Sequence, residues 1–193
     1  MDARRLIFTS GKGGVGKSTL ECAMSGILCA DGKKVLSVDC DTGLRCLDIM
    51  FGAKNIVYDW GDVISGACDV KKAVVSTKDG DLLAAPLHRD EISRKQFSDM
   101  LAPLRAEYDF IFLDCPAGIG SGFELALSAA DFAVIISTPD DVCVRSAGIA
   151  SDKAYEAGVR SRLVINRFRR NEVKNGQMLN IDRTIDAVGS QLI

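Results

Sequence analysis

Short apolar runs that end on a polar or acidic residue recur along the chain, and the stretches between them carry helical spacing. Arg5 to Thr9 reads as a strand, Lys34 to Val38 as a second ending at Asp39, and Asp81 to Ala85 as a weaker third stopped by Pro86. Phe110 to Leu113 ends at Asp114, Phe132 to Ser137 is stopped by Thr138-Pro139, and Leu163 to Ile165 is the last clear strand. Leu20, Ala23, Met24, Ile27 and Leu28 keep the i, i+3, i+4, i+7, i+8 rhythm, which predicts one apolar helix face, and Asp31-Gly32 supplies a glycine stop. Ile92, Phe97, Leu101 and Leu104 predict a second helix, broken or bent near Pro103; a third runs from about Val142 to Ala157 and stops at Gly158. Ile181, Ile185 and Val188 give a modest apolar stripe to a final helix, read as packed on the sheet, and Leu192-Ile193 has the character of a strand beginning.

Strands alternating with helices predict an α/β fold: a doubly wound, mainly parallel sheet with helices on both faces. No linker, repeat or low-complexity stretch divides it, so one domain is expected over 1–193. In such sheets ligands lie beyond the carboxyl ends of the strands.

Composition narrows the classes. A net charge of -2 lacks the extended basic footprint of a nucleic-acid surface, and the one short basic run, Arg167-Phe168-Arg169-Arg170, reads as a solvated loop. None of the 7 cysteines is spaced as C-x-x-C, so zinc or redox motifs are unsupported and the thiols read as small hydrophobes. His88, the single histidine, sits in a polar turn and builds no metal site alone. No apolar run approaches the roughly 18 residues of a membrane span.

The sharpest chemistry lies between the first strand and the first helix. Gly11-Lys12-Gly13-Gly14-Val15-Gly16-Lys17-Ser18 fits G-x-x-x-x-G-K-[ST] in the strand–loop–helix setting that gives the motif meaning. Its glycines let the backbone curl so that N–H groups face phosphate oxygens, and the helix start adds partial positive charge. Lys17 is expected on the β- and γ-phosphates and the Ser18 hydroxyl on Mg²⁺. Asp39, Asp41 and Asp114 follow apolar strands that end on the same side. Asp114 takes the position of an acid in the magnesium shell; Asp41, grouped with Ser18 and Asp114 toward the metal, is better placed than Asp39 to orient an attacking water.

The string Lys12-Gly13-Gly14-Val15-Gly16-Lys17-Ser18-Thr19 resembles the deviant phosphate loop of the MinD/ParA family of ATPases. The resemblance extends through Asp39-Cys40-Asp41-Thr42-Gly43-Leu44-Arg45-Cys46-Leu47-Asp48, a switch I of the MinD branch, where ParA proteins carry Pro-Gln after the second aspartate. Tyr58-Asp59 to Ser65-Gly66 and Asp114-Cys115-Pro116-Ala117-Gly118-Ile119, the switch II region, are similar too. What it implies is an ATP/ADP- and Mg²⁺-binding ATPase that forms an ATP-dependent homodimer. Lys12 would reach the partner's nucleotide, and Asn166, with Arg167, would meet the adenine. It further implies division-site selection, with MinC-like and MinE-like partners, in the cytoplasm, and peripheral inner-membrane association through a C-terminal amphipathic helix.

Three positions depart from the family pattern: Cys46 for an asparagine of switch I, Gly120 for an acid of some relatives, and Ser146 for an aspartate after Arg145. The last two bear on partner recognition. The resemblance also leads us to expect a shortened form, without the last strand and the amphipathic anchor, that does not bind membranes by itself. A nucleotide-dependent scaffold with little turnover, and a flagellar-number regulator of the FlhG type, stay open as alternatives.

Overall fold

The structure is a computed structural model that describes residues 3–42, 44–87 and 92–193; Gly43 and the polar turn with His88 lie outside the described residues. The chain opens with β1 (Arg4–Thr9), α1 (Lys17–Ala30) and β2 (Val35–Asp39). Three short helices follow, α2 (Leu47–Met50), α3 (Trp60–Ile64) and α4 (Val70–Ala73), then β3 (Val74–Thr77) and β4 (Gly80–Leu83). Next come α5 (Arg94–Leu101), which tightens into a 3-10 turn at Ala102–Ala106, β5 (Phe110–Asp114), α6 (Ser121–Ser128) and β6 (Phe132–Ser137). The chain closes with α7 (Asp141–Glu156), β7 (Arg160–Ile165), α8 (Arg170–Lys174) and α9 (Ile181–Val188).

Strand order is β3-β4-β2-β5-β1-β6-β7, parallel throughout except for the antiparallel edge strand β3. Alternate residues of the central strands enter two cores, as the pleat requires. Ile7, Leu36, Val38, Ile111, Leu113 and Ile135 pack under Phe97 of α5, Phe123 of α6 and Ala147 of α7. Phe8, Val35, Phe112, Val134 and Ile136 pack on the other face against Leu20, Met24 and Leu28 of α1. The sheet is doubly wound, as the alternation predicts, because strands buried on both faces must be apolar at every position.

Several elements differ from expectation. α1 does not turn the whole predicted apolar stripe inward: Ala23 is exposed and Ile27 is 64% exposed, while Lys17, Glu21 and Ser25 are the buried residues of the helix. These three stand at i, i+4 and i+8, so they share one face, and the phosphate loop sets which face points down. β7 starts at Arg160 rather than Leu163; Arg160 is exposed and Ser161 and Arg162 are partly buried, and these polar residues of an edge strand carry no apolar signal. β3 and the short helices carry too few residues for a periodic signal to register. The bend at Pro103 is present as the 3-10 turn. α9 packs on α7 as well as on β7, capped by Asn180 and stopped by Gly189 at φ 68°. Beyond it Leu192 bridges Leu163 in parallel, on the outer edge of β7. Among the described residues no helix is long and apolar enough to cross a membrane.

The largest buried side chain, Trp60, starts α3, lies edge-on to Phe97 and donates its indole N–H to the Asp39 carbonyl at 2.8 Å. It therefore ties α3 to the end of β2. Trp60→Phe removes that bond and leaves a void, so we expect a loss of roughly 1–3 kcal/mol in urea unfolding. A loss of under a few tenths would mean that the indole does not carry this junction.

Candidate functional site

The predicted site residues collect at the carboxyl ends of β1, β2, β5 and β7. The loop between β1 and α1 turns on Gly14 (φ 79°) and Gly16 (φ 102°), conformations a side chain would strain. Three elements press on it. A Cβ on Gly11 would collide with Ser146 of α7, one on Gly13 would touch Ala117 after β5, and one on Gly16 would lie 2.5 Å from the Asn166 amide after β7. Val15 is buried, and Gly16 caps α1 with no side-chain hydrogen bond. The backbone path is thus fixed from three sides.

Lys17 and Ser18, the first residues of α1, meet the strand-end acids. Lys17 is 8% exposed. The Ser18 hydroxyl donates to Asp114 Oδ2, and Asp114 Oδ1 is buried with no hydrogen-bond partner. Register puts Asp114 beside Phe8 on one side and Asp39 on the other. Burial, with the negative charges of Asp39 and Asp41, pushes the Asp114 carboxyl up, against the Ser18 hydrogen bond and the Lys17 charge. The unpartnered Asp114 oxygen and the Ser18 hydroxyl are hard oxygen donors that suit Mg²⁺. Among the described residues no group of three Asp, Glu, His or Cys side chains forms an all-protein metal cage. Mg²⁺ does not need one, since it is held by one or two carboxylates together with substrate phosphates.

Asp39 and Asp41 take different parts. Asp39 is 1% exposed and spends both oxygens on backbone. Its Oδ1 accepts from Asp41 N at 2.9 Å, and its Oδ2 accepts from Cys46 N at 3.0 Å and Leu47 N at 3.1 Å. It shapes the segment after β2 rather than facing a ligand. Burial still raises its carboxyl, because three N–H groups do not offset the loss of water. Asp41 is half-buried and close enough to Asp114 for their charges to interact. Arg45 pairs with Asp48 at 3.1 Å and reaches the Ala85 carbonyl, which pins the same segment. Cys46 Sγ lies 3.9 Å from Ser18 Oγ, and burial with the nearby Asp39 charge pushes its thiol up to about 11.

The other predicted positions are spread around this centre. Lys12 and Thr19 are exposed; the Asp140 carboxyl is lowered, against burial, mainly by hydrogen bonds from the Thr138 hydroxyl and the Cys143 N–H, with a smaller contribution from the Lys12 charge. Asn166 Nδ2 donates to the Val15 carbonyl at 2.7 Å, which sets the amide against the loop and leaves its second N–H unused by that bond. Arg167 is exposed at φ 56°, and its N–H donates to Asn166 Oδ1. One participant was missed. Glu21, one turn beyond Lys17, is fully buried beneath α1 with neither carboxylate oxygen within hydrogen-bonding geometry, and Ser37 Oγ and Asp114 Oδ1 on that sheet face are equally unpartnered. The signal was present as the polar i, i+4, i+8 line of Lys17, Glu21 and Ser25, hidden by the stronger apolar stripe.

A family model described as an AAA domain (AAA_31) matches residues 3–150. The septum site-determining protein MinD of Bacillus subtilis is 38% identical over 197 residues, covering 97% of this chain and 74% of its own length. The Helicobacter pylori protein of that name is 39% identical over 199 residues, covering 96% of this chain and 74% of its own length. Among solved structures, the MinC:MinD cell division complex of Aquifex aeolicus superposes with TM-score 0.89 at 36% identity, over 98% of this chain and 79% of that one.

The Glu21 carboxyl is raised well above 4.5, first by burial and then by the Asp114 charge. The folded protein therefore keeps this proton after the unfolded chain has lost it, so its contribution to stability falls as pH rises from about 4.5. Glu21→Gln has no proton to lose. Without nucleotide or magnesium, its thermal midpoint should exceed that of the wild type at pH 8 by more than at pH 5. An equal difference at both pH values would place a charged Glu21 in the folded protein.

Proposed function

We propose, since this chain belongs to the MinD family of septum site-determining proteins, that it binds ATP with Mg²⁺ and hydrolyses it to switch between a monomer and an ATP-held dimer. The observation that supports this most directly is the Ser18–Asp114 contact at the mouth of a glycine loop, with Asp114 Oδ1 free and Lys17 buried beside it. The backbone N–H groups of Gly11, Gly13, Gly14, Val15, Gly16, Lys17, Ser18 and Thr19 would receive phosphate oxygens, helped by the α1 terminus. Ser18 and Asp114 would hold the metal, with Asp41 in its outer surroundings. Bound Mg²⁺ supplies charge neutralisation across the β- and γ-phosphates.

Phosphoryl transfer asks the protein mainly to position groups and to stabilise charge. Lys17 brings a cation to the transferred group. Asp41 orients the water, and the Asp39 hydrogen bonds to the segment after β2 hold Asp41 in place. Lys12, exposed at the start of the loop, extends toward a second copy and its nucleotide. Asn166 and Arg167 border the loop from β7.

Division-site selection is the biological role we infer from the relatives, with MinC-like and MinE-like regulators as partners. α7 offers exposed Val142 and Ile149 beside Ser146, which touches the loop, so a partner there would stand against the nucleotide site. A scaffold with little turnover is the second reading, favoured by one contact: Cys46, in place of the family asparagine, against the Ser18 hydroxyl.

Phosphate release with Mg²⁺ and ATP, together with light scattering in ADP, ATP and a non-hydrolysable analogue, tests the proposal. A dimer in ATP that releases phosphate supports the switch; a dimer without release above background favours the scaffold; neither overturns both. Lys17→Ala should abolish ATP binding in calorimetry. Lys12→Ala should leave binding intact yet lose the dimer and lower turnover by roughly 10³ or more, by analogy with a cation supplied in trans. A normal ATP dimer in that variant would remove Lys12 from the interface. Asp41→Ala should accumulate the ATP dimer; unchanged turnover would move the water-orienting role elsewhere.

A further inference from the structure

The reaction proposed above leaves Glu21 without a part. Three residues after Ser18, it takes the neighbouring position on the same side of α1, over the ends of β2 and β5, and is fully buried. The pleat brings two further polar groups to that face of the sheet. Ser37 alternates with Val35 on β2 and Asp114 with Phe112 on β5, and Val35 and Phe112 pack under α1. Register sets Ser37 beside Phe112, one pleat repeat before Asp114. Burial raises the Glu21 carboxyl most, the Asp114 charge raises it further, and the Ser37 hydroxyl lowers it, so both groups lie close to it. Yet among the described residues Glu21 Oε1 and Oε2, Ser37 Oγ and Asp114 Oδ1 are buried with no direct hydrogen-bond partner.

We propose that Glu21 is a positioning residue: with Ser37 it holds a buried water that donates to Asp114 Oδ1 and keeps that carboxylate turned to Ser18 and the metal. The proposal rests on the reading of Ser18 and Asp114 as the Mg²⁺ ligands. An internal water makes about three hydrogen bonds to buried polar groups that otherwise have none, and these three side chains supply such groups. The Ser37 hydroxyl donates to the water, whose two hydrogens go to a Glu21 oxygen and to Asp114 Oδ1. A carboxylate has about four lone-pair positions, so Oδ1 accepts that hydrogen and still faces a cation. Stability gives no reason for a carboxyl here. A buried polar group without a direct partner is costly, and an apolar side chain of similar volume in its place is often neutral or stabilising. What the carboxyl adds is a fixed Asp114, because groups that hold a metal ligand from behind tune its affinity.

The test titrates the full chain with Mn²⁺ as the metal probe, in the presence of a non-hydrolysable ATP analogue, and reads free Mn²⁺ by electron paramagnetic resonance. Glu21→Leu should weaken Mn²⁺ binding roughly tenfold, the low end for groups that support a metal ligand. Its midpoint in urea should stay at or above that of the wild type. Glu21→Gln keeps a donor and an acceptor for the water, so its Mn²⁺ affinity should stay within about twofold of the wild type. Ser37→Ala should weaken binding about fivefold, the worth of one net hydrogen bond. Wild-type Mn²⁺ binding in Glu21→Leu overturns the proposal. An equal loss in Glu21→Gln overturns it too, since the effect then belongs to charge rather than to a held water. Should Glu21→Leu fail to fold, Ser37→Ala decides, and unchanged Mn²⁺ binding there overturns the proposal. A crystal structure of the nucleotide-free protein is the second measurement. One water within hydrogen-bonding distance of Glu21, Ser37 and Asp114 is expected, and a dry cluster overturns the proposal whatever the variants do. If the wild type binds neither the analogue nor Mn²⁺, the function proposed above fails and the positioning role with it, while the crystal structure still decides the water.

Discussion

The hydrogen bond from the Ser18 hydroxyl to Asp114 joins the start of α1 to the end of β5, and the rest of the site is arranged around it. It sets the rotation of α1 about its own axis. With Ser18 turned to Asp114, Lys17 faces inward, and 3.6 residues per turn carry Glu21 and Ser25 beneath the helix on the same line. A helix placed only by hydrophobic burial would turn Ile27 and Ala23 toward the sheet; here they face solvent. The contact at the strand end overrides part of the apolar stripe, although Leu20, Met24 and Leu28 still pack on the sheet, and Glu21 is left as a carboxyl away from bulk water.

The second constraint is Asp39. Of two strand-end acids two residues apart, one is consumed by backbone. Its oxygens gather the N–H groups of Asp41, Cys46 and Leu47, and its carbonyl takes the Trp60 indole. The segment after β2 is therefore held at both ends of one residue, and Asp41 is left at the cleft. These bonds link the sheet to the segment that would have to move if the site distinguishes ATP from ADP.

The phosphate loop is enclosed by parts distant in sequence. Ser146 of α7, Ala117 after β5 and Asn166 after β7 each occupy a place where a loop glycine leaves no room for a side chain or brings the chains into contact. A glycine loop alone has high conformational entropy. The three neighbours remove that freedom before any ligand arrives, which is what a phosphate-binding backbone needs in order to present its amides.

Much was legible in the chain itself. Unbroken apolar runs such as Phe110 to Leu113 can only be strands buried on both faces, and G-x-x-x-x-G-K-[ST] between strand and helix carries its own geometry. The site at the carboxyl ends follows from those two facts, as does the grouping of Lys17, Ser18 and Asp114. Tertiary structure alone decided the remainder. Periodicity records which residues share a face but not which face turns inward, so the burial of Glu21 was out of reach. Local sequence also does not say how a carboxylate or an amide spends its hydrogen bonds. Whether Asp39 serves backbone or ligand, and that the Asn166 amide reaches the Val15 carbonyl, depends on chain segments 7 to 151 residues away, brought within reach only when the sheet closes.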